Sequence, residues 1–278
     1  MEAQANSLTI KSSSPKVTII IPAFNVPPEF MVESFHSIQN QTFRDFEALV
    51  VDESTNSECA AVCKALCNAD SHFVYIRPST RLGLAGSLNM ALEYARGEFI
   101  ARFDADDICM LDRLEEQVAF MEAHPDVDVL GGGLEIISEA GKFLAFRDYP
   151  VDHVAIERRF QISNSIAHPT VMVRKHVLDM YGAYTSSFRF AEDLELWLRL
   201  LNHGIRFANL PKVLVQYRQQ NTRRDLRNWR FNLRARTRNF ARRHLLRRVF
   251  GICAIALWGN VPGWVQECVF RGLFLRRN

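Results

Sequence analysis

Asp104, Asp106 and Asp107 fall within one short segment, FDADD, at the end of an apolar run. Two carboxylates two positions apart, just past a strand, can turn toward one ligand and attract a hard divalent cation such as Mg2+ or Mn2+. A cation held by one or two carboxylates keeps open positions for phosphate oxygens, so the segment could clamp a diphosphate. Acidic loops are often simply solvated, and a lone pair of this kind decides nothing. Asp52 closes a second apolar run, where it could equally cap the helix that follows. Glu192 and Asp193 open a third apolar stretch, where negative charge suits the positive end of a helix. Cys59, Cys63 and Cys67 repeat every four residues along one helical face. With no CxxC pair and no histidine at ligand spacing, they read as packing residues of a reduced chain.

These residues need elements to hold them. Residues 17–21 and 46–51 are apolar, β-branched strands, and 29–40 and the cysteine segment to about Cys67 have helical spacing. A strand at 73–76, a glycine-containing loop RLGLAG (81–86), a helix at 87–95 and a strand at 99–103 continue the alternation, which is that of an α/β layer. Beyond it the pattern predicts a helix at 111–123, a strand at 127–133, a hairpin around Glu139-Ala140-Gly141, and a helix at 151–162. A short strand at 170–173 and a helix at 194–201 follow. In a parallel sheet, ligands bind beyond the carboxyl ends of the strands. That rule gathers Pro22 to Asn25, Asp52 to Ser54, Arg81 to Asn89 and Asp104 to Asp107 at one crevice.

In order and spacing, VTIIIPAFN, VVDES, LGLAGSLNMAL, FDADD, HPT and EDLELWLRL resemble the inverting family 2 glycosyltransferases of the bacterial surface-polysaccharide type, over about residues 16–218. The resemblance implies a Rossmann-like GT-A fold: a central, mostly parallel sheet flanked by helices. It implies a nucleotide-sugar-binding half at 16–110 and an acceptor-binding half at 111–217. Pro22, Ala23 and Phe24 would line the base pocket, with Asp52 bonded to the base or ribose and Asn25 and Glu53 as lesser members of that group. Arg81 and the loop from Gly83 to Gly86 would belong to the segment passing over the donor, and Asn89 would hold that loop or the sugar. Asp104 would contact ribose or sugar hydroxyls, Asp106 would be the metal ligand, and Asp107 would support them. Asp193 would be the general base, with Glu192 its adjacent competitor. His168 would lie in the acceptor region as a structural donor rather than a chemical group. Arg218 would neutralise the departing diphosphate. The family more often has a second Asp where Glu53 stands, which leaves base selectivity open.

The net charge of +3 conceals an asymmetry. Residues 1–217 carry ten more acidic than basic side chains, whereas 218–278 carry fifteen arginines against Asp225 and Glu267. The first 15 residues are polar and Ser-rich and read as a flexible leader. From Arg223 the chain reads as a basic, aromatic-bearing helix followed by two short apolar pieces, split by GNVPG and flanked by arginines. Each is too short to span a bilayer, which takes about 20 residues. They suit interfacial attachment of residues 223–278 to an anionic membrane surface, with Trp258 and Trp264 at headgroup depth. No nucleic-acid motif accompanies the arginines. The competing reading is a helical pair packed on the body.

The expectation is therefore a metal-dependent glycosyltransferase, using a nucleotide-sugar (UDP-type) donor and a glycan or lipid-linked acceptor. It would sit peripherally on the cytoplasmic face of the inner membrane. Two alternatives are a catalytically silent GT-A scaffold and a sugar-phosphate nucleotidyltransferase. The second would require a glycine-rich basic loop after the first strand, and PAFNVPPEF has neither glycine nor a basic residue.

Overall fold

The computed structural model describes residues 14–219 and 226–276. The leader through residue 13 and Arg223 and Arg224 of the basic segment lie outside the described residues. The first half alternates strands β1 (Val17–Ala23), β2 (Phe46–Asp52), β3 (Phe73–Ile76) and β4 (Phe99–Arg102) with helices α1 (Pro28–Gln39), α2 (Ser57–Ala69) and α3 (Gly83–Tyr94). The second half holds β5 (Ile108–Cys109), α4 (Arg113–Ala123), β6 (Val129–Ile137), β7 (Phe143–Arg147), α5 (His153–Phe160), β8 (Met172–Arg174), α6 (Lys175–Tyr181), α7 (Glu192–Asn202) and β9 (Phe207–Arg218). Three further helices follow: α8 (Leu226–Arg238), α9 (Leu245–Trp258) and α10 (Gly263–Phe274).

Among the described residues the strands form one sheet in the order β3-β2-β1-β4-β8-β6-β9-β5, with β7 paired to β6. Pairing is parallel from β3 to β4 and between β6 and β9, and antiparallel where β8 joins β4 and β6 and where β7 and β5 attach. Helical crossovers build the parallel part, whereas the short β8 is reached through a turn and runs the other way. Its entry, the 3₁₀ turn at His168–Thr170, therefore lies at the edge where β1, β2, β4, β6 and β9 end.

Strands β1 and β2 are buried on both faces, as their unbroken apolar runs require. Ile19 and Ile21 meet Met31, Phe35 and Ile38 of α1 and Cys63 and Cys67 of α2 on one side. Ile20 meets Leu88 of α3 and the α7 core on the other. The three α2 cysteines are thus packing residues, and their helix is capped by Asn56 rather than by Asp52. Helix α3 begins at Gly83, earlier than the expected 87, because Glu53 accepts the Leu82 and Gly83 N–H groups and so caps it from the loop after β2. Strand β6 runs through the three glycines. A Cβ at Gly131 would run into Ile166 and Asn209. Helix α6 and the long strand β9 carried no clear period in the sequence.

The C-terminal helices are divided in role. Helix α8 packs on α7: Ala235 is fully buried, and the buried Arg236 donates to the carbonyls of Phe160 and Gln161. The buried Arg248 of α9 donates to the Asn239 carbonyl and to Asn202 Oδ1 at the end of α7. Ile255 is buried, whereas Leu246, Leu257 and Trp264 are 85%, 72% and 73% exposed. Among the described residues no helix is long and apolar enough to cross a membrane.

Candidate active site

The parallel register sets Ala23 opposite Asp52, so the ends of β1 and β2 meet at the crevice. Asn25, in the left-handed region (φ 49°), is bound at both ends of its amide. Its Oδ1 accepts the Thr55 and Asn56 N–H groups at 2.9 Å, and its Nδ2 donates to Thr55 Oγ1. It thereby ties the loop after β1 to the loop after β2. Phe24 stands 40% exposed beside it, with the Arg81 guanidinium 3.8 Å over its ring. This is a cation–π lid of one planar group on another, at the place expected for a nucleotide base.

Asp52 is fully buried and its carboxylate is committed. Oδ1 accepts the Ser54 N–H at 2.8 Å, and Oδ2 accepts Tyr75 OH at 2.9 Å and Arg77 Nη1 at 2.7 Å. Burial, followed by the bond to Asp52, pushes the Tyr75 hydroxyl well above its ordinary range. The sequence reading passed over both Tyr75 and Arg77. Their signal was position, at the end of a strand beside β2 on the same edge.

Asp104 is gripped through both oxygens by the buried Arg102 guanidinium. Asp107 is also buried. Its Oδ1 accepts the Arg218 N–H at 2.9 Å, and its Oδ2 has no hydrogen-bond partner among the described residues. Burial, then the charges of Asp104 and Asp106, hold its carboxyl well above the usual range. Asp106 is half-buried between them. A crowded set of hard oxygen donors with one orphaned carboxylate oxygen suits a divalent cation. Among the described residues no group of three or more His, Cys, Asp or Glu side chains could hold a metal on protein ligands alone.

Arg218 is buried behind this cluster rather than open to the crevice. Its Nε donates to the Asp106 carbonyl at 3.0 Å, Nη1 to the Glu139 carbonyl at 2.7 Å and Nη2 to Glu33 at 2.5 Å, and it lies over the Phe30 ring. In this conformation it braces the FDADD backbone, because β9 ends against that loop and the guanidinium finds its acceptors there.

Helix α7 is entered through Ala191, whose left-handed backbone (φ 55°) is costly for a residue with a Cβ. The helix is fixed by the fully buried Trp197, packed edge-on against Phe207 and His168. Glu192 is buried, and desolvation first, then the adjacent Asp193 charge, raises its pKa to about 7. Arg102 opposes that rise and Asp104 adds to it, so the FDADD carboxylates and the α7 pair share one electrostatic neighbourhood. Asp193 is half-buried. Its Oδ2 accepts Asn164 Nδ2 at 2.7 Å and its Oδ1 accepts the Leu194 N–H at 2.7 Å.

His168 is buried with Nε2 2.8 Å from Tyr184 OH, and burial, with Arg102 second, lowers its pKa far enough to keep it neutral. Asn89 holds the same tyrosine by its backbone, Nδ2 to the carbonyl at 2.8 Å and Oδ1 from the N–H at 3.0 Å. The sequence reading missed Arg102, Asn164 and Tyr184. Arg102 precedes Asp104 by two, on the same face of an extended chain, and that spacing was available.

Residues 18–181 match the family model described as Glycosyl transferase family 2. The O-antigen biosynthesis glycosyltransferase WbnJ of Escherichia coli is 33% identical over 210 residues, covering 73% of this chain and 79% of that protein. Another E. coli protein is the UDP-Glc:alpha-D-GlcNAc-diphosphoundecaprenol beta-1,3-glucosyltransferase WfgD. It is 30% identical over 207 residues, covering 73% of this chain and 76% of its own. Among solved structures, the mannosyltransferase PcManGT of Pyrobaculum calidifontis, in complex with GDP-Man and Mn2+, has a TM-score of 0.66. The likeness covers 94% of this chain and 76% of that one at 16% identity, and it is one of fold.

Proposed function

The chain belongs to glycosyl transferase family 2 and has the GT-A α/β fold, and on that premise we propose that it transfers a sugar from a UDP-linked donor to a hydroxyl of a lipid-linked glycan with inversion. The observation that carries this reading is that Asp104 of the FDADD cluster is held by Arg102, and that both lie close enough to Glu192 at the start of α7 to act on its charge. The donor and acceptor classes are those in the name of WfgD, and polysaccharide assembly is the setting in the name of WbnJ.

In this reading residues 16–110 bind the donor and 111–217 the acceptor. Phe24 and Arg81 enclose the uracil, with Pro22 and Ala23 beneath it and Asn25 holding the pocket wall. Asp52 acts through Arg77, whose partly exposed guanidinium it orients, since its own carboxylate oxygens are engaged. Gly83 permits close passage of the 81–86 segment, and Asn89 steadies the loop carrying Tyr184. Asp104, held by Arg102, faces ribose or sugar hydroxyls. Asp106 would hold Mg2+ or Mn2+, and the chemistry supplied there is positive charge beside the diphosphate.

Asp193 removes the acceptor proton as the oxygen attacks the anomeric carbon and UDP leaves. A half-buried carboxylate can reach an incoming hydroxyl, whereas Glu192 is sealed in the core. A positioned base contributes a factor of about 10²–10⁴. The outward apolar faces of α9 and α10, bordered by arginines, rest on an anionic cytoplasmic membrane face, where the lipid-linked acceptor lies. Thermal denaturation with UDP and Mn2+ tests the donor site. Joint stabilisation that disappears in Asp106→Ala supports the reading, and no stabilisation by UDP in any metal contradicts it.

A further inference from the structure

Asn164 carries no charge and stands in the turn between α5 and the His168–Thr170 segment, outside the acidic motifs. Its Nδ2 reaches Asp193 Oδ2 at 2.7 Å, a short bond to a carboxylate from an element 29 residues away. We propose that Asn164 is the positioning residue for the base, a role that rests on the reading of Asp193 given above.

The reason is geometric. A carboxylate on the first turn of a helix can rotate about two side-chain torsions, so one contact does not set its plane. Here two donors do. The Leu194 N–H holds Oδ1 from within α7, and Asn164 holds Oδ2 from the turn after α5.

The turn that presents Asn164 is itself anchored. The Ser165 carbonyl accepts Asn209 Nδ2 from β9 at 3.0 Å, and Ile166 is buried against the sheet. Just upstream, the Phe160 and Gln161 carbonyls are held by Arg236. A rigid neutral amide orients the carboxylate without adding charge of its own. Among the described residues, groups that share this field include Glu192 on α7, Tyr184 from the loop after α6, and Arg102 and Asp104 from the β4 edge.

The test compares wild type, Asn164→Ala and Asn164→Asp for UDP release from UDP-glucose, with a bacterial lipid extract as acceptor, from acid to alkaline pH. Loss of a donor to the ionised base lowers kcat roughly 10- to 100-fold and leaves the donor KM within about twofold. It also moves the acid limb of kcat upward by about one pH unit, because Asp193 then keeps its proton to higher pH. Asn164→Asp moves the limb further by like-charge repulsion. Unchanged kcat and acid limb in Asn164→Ala, or an effect confined to the donor KM, overturn the proposal. Absence of UDP release from wild type would count against the donor reading alone. Carbon-13 titration of the Asp193 carboxylate in wild type and Asn164→Ala, without substrate, decides the Asn164 role separately. A titration that does not move overturns it.

Discussion

Both carboxylate oxygens of Asp104 are held by the guanidinium of Arg102, and the same buried cation acts on Glu192 of α7. One arginine from β4 therefore couples the acidic cluster at the end of its own strand to the acidic start of a distant helix.

Arg102→Met should disturb both ends of that coupling. Breaking a buried pair leaves an uncompensated carboxylate, but Asp104 is partly exposed and water recovers some of the loss, so about 2–3 kcal/mol of stability is expected to go. Urea unfolding measures it. In the same variant the Glu192 carboxyl should titrate higher than in wild type, since Arg102 favours its ionised form. Stability equal to wild type would mean that the pair is not maintained in solution.

Glu192 makes stability depend on pH in a definite direction. Its carboxyl is raised from an ordinary 4.5 to about 7, so the folded chain keeps a proton that the unfolded chain gives up. The resulting stability is full below about pH 4.5 and is lost as pH rises through 7. Glu192→Gln removes the need to bury an ionised carboxylate. The variant should be more stable than wild type at pH 8 by roughly 3 kcal/mol at most, and nearly equal to it at pH 4. Because Asp193 remains, transfer should fall by no more than about tenfold. A variant equally stable with wild type at both pH values would contradict this placement of Glu192.

The exposed side chains of α9 give a membrane prediction. Replacing Leu246, Phe250 and Leu257 together by Glu removes three apolar anchors of about 1.5–3 kcal/mol each and adds charge of the wrong sign for an anionic surface. Co-sedimentation with vesicles containing phosphatidylglycerol should fall at least about a hundredfold, with the circular dichroism spectrum retained. Wild-type binding should weaken with salt. Binding unchanged in the triple variant would exclude this face.

The sequence shows the first half of the fold almost to the residue, because buried parallel strands are unbroken apolar runs and their helices have a clear period. Strand 73–76 was read at its observed bounds, whereas α3 began four residues early because its cap comes from Glu53 in the loop after β2. In the second half β9 is defined by pairing with distant partners and no local pattern announces it, whereas β8 meets the short strand expected at 170–173 but starts two residues later, because His168–Thr170 form a 3₁₀ turn. The same distinction separates the site residues. Asp104, Asp106, Glu192 and Asp193 were visible as charges at element ends. Of the partners, Arg102 stands two residues from Asp104, a spacing that was there to read, whereas Tyr75 and Arg77 on Asp52 and Asn164 on Asp193 were not visible, since hydrogen bonds across more than 20 residues leave no trace in spacing. Arg218 was visible by type, and only the fold shows its guanidinium turned inward to Glu33 and the Glu139 carbonyl.

The most direct test of the account is UDP release from UDP-glucose and UDP-N-acetylglucosamine, with a lipid extract as acceptor and Mn2+ present, by wild type and Asp193→Asn. The account predicts release coupled to sugar incorporation into the lipid fraction, lowered about 10²–10⁴-fold in Asp193→Asn while UDP and Mn2+ still raise the melting temperature of the variant. Transfer that survives in Asp193→Asn and is lost in Glu192→Gln would contradict it, and the base would then be the buried carboxyl.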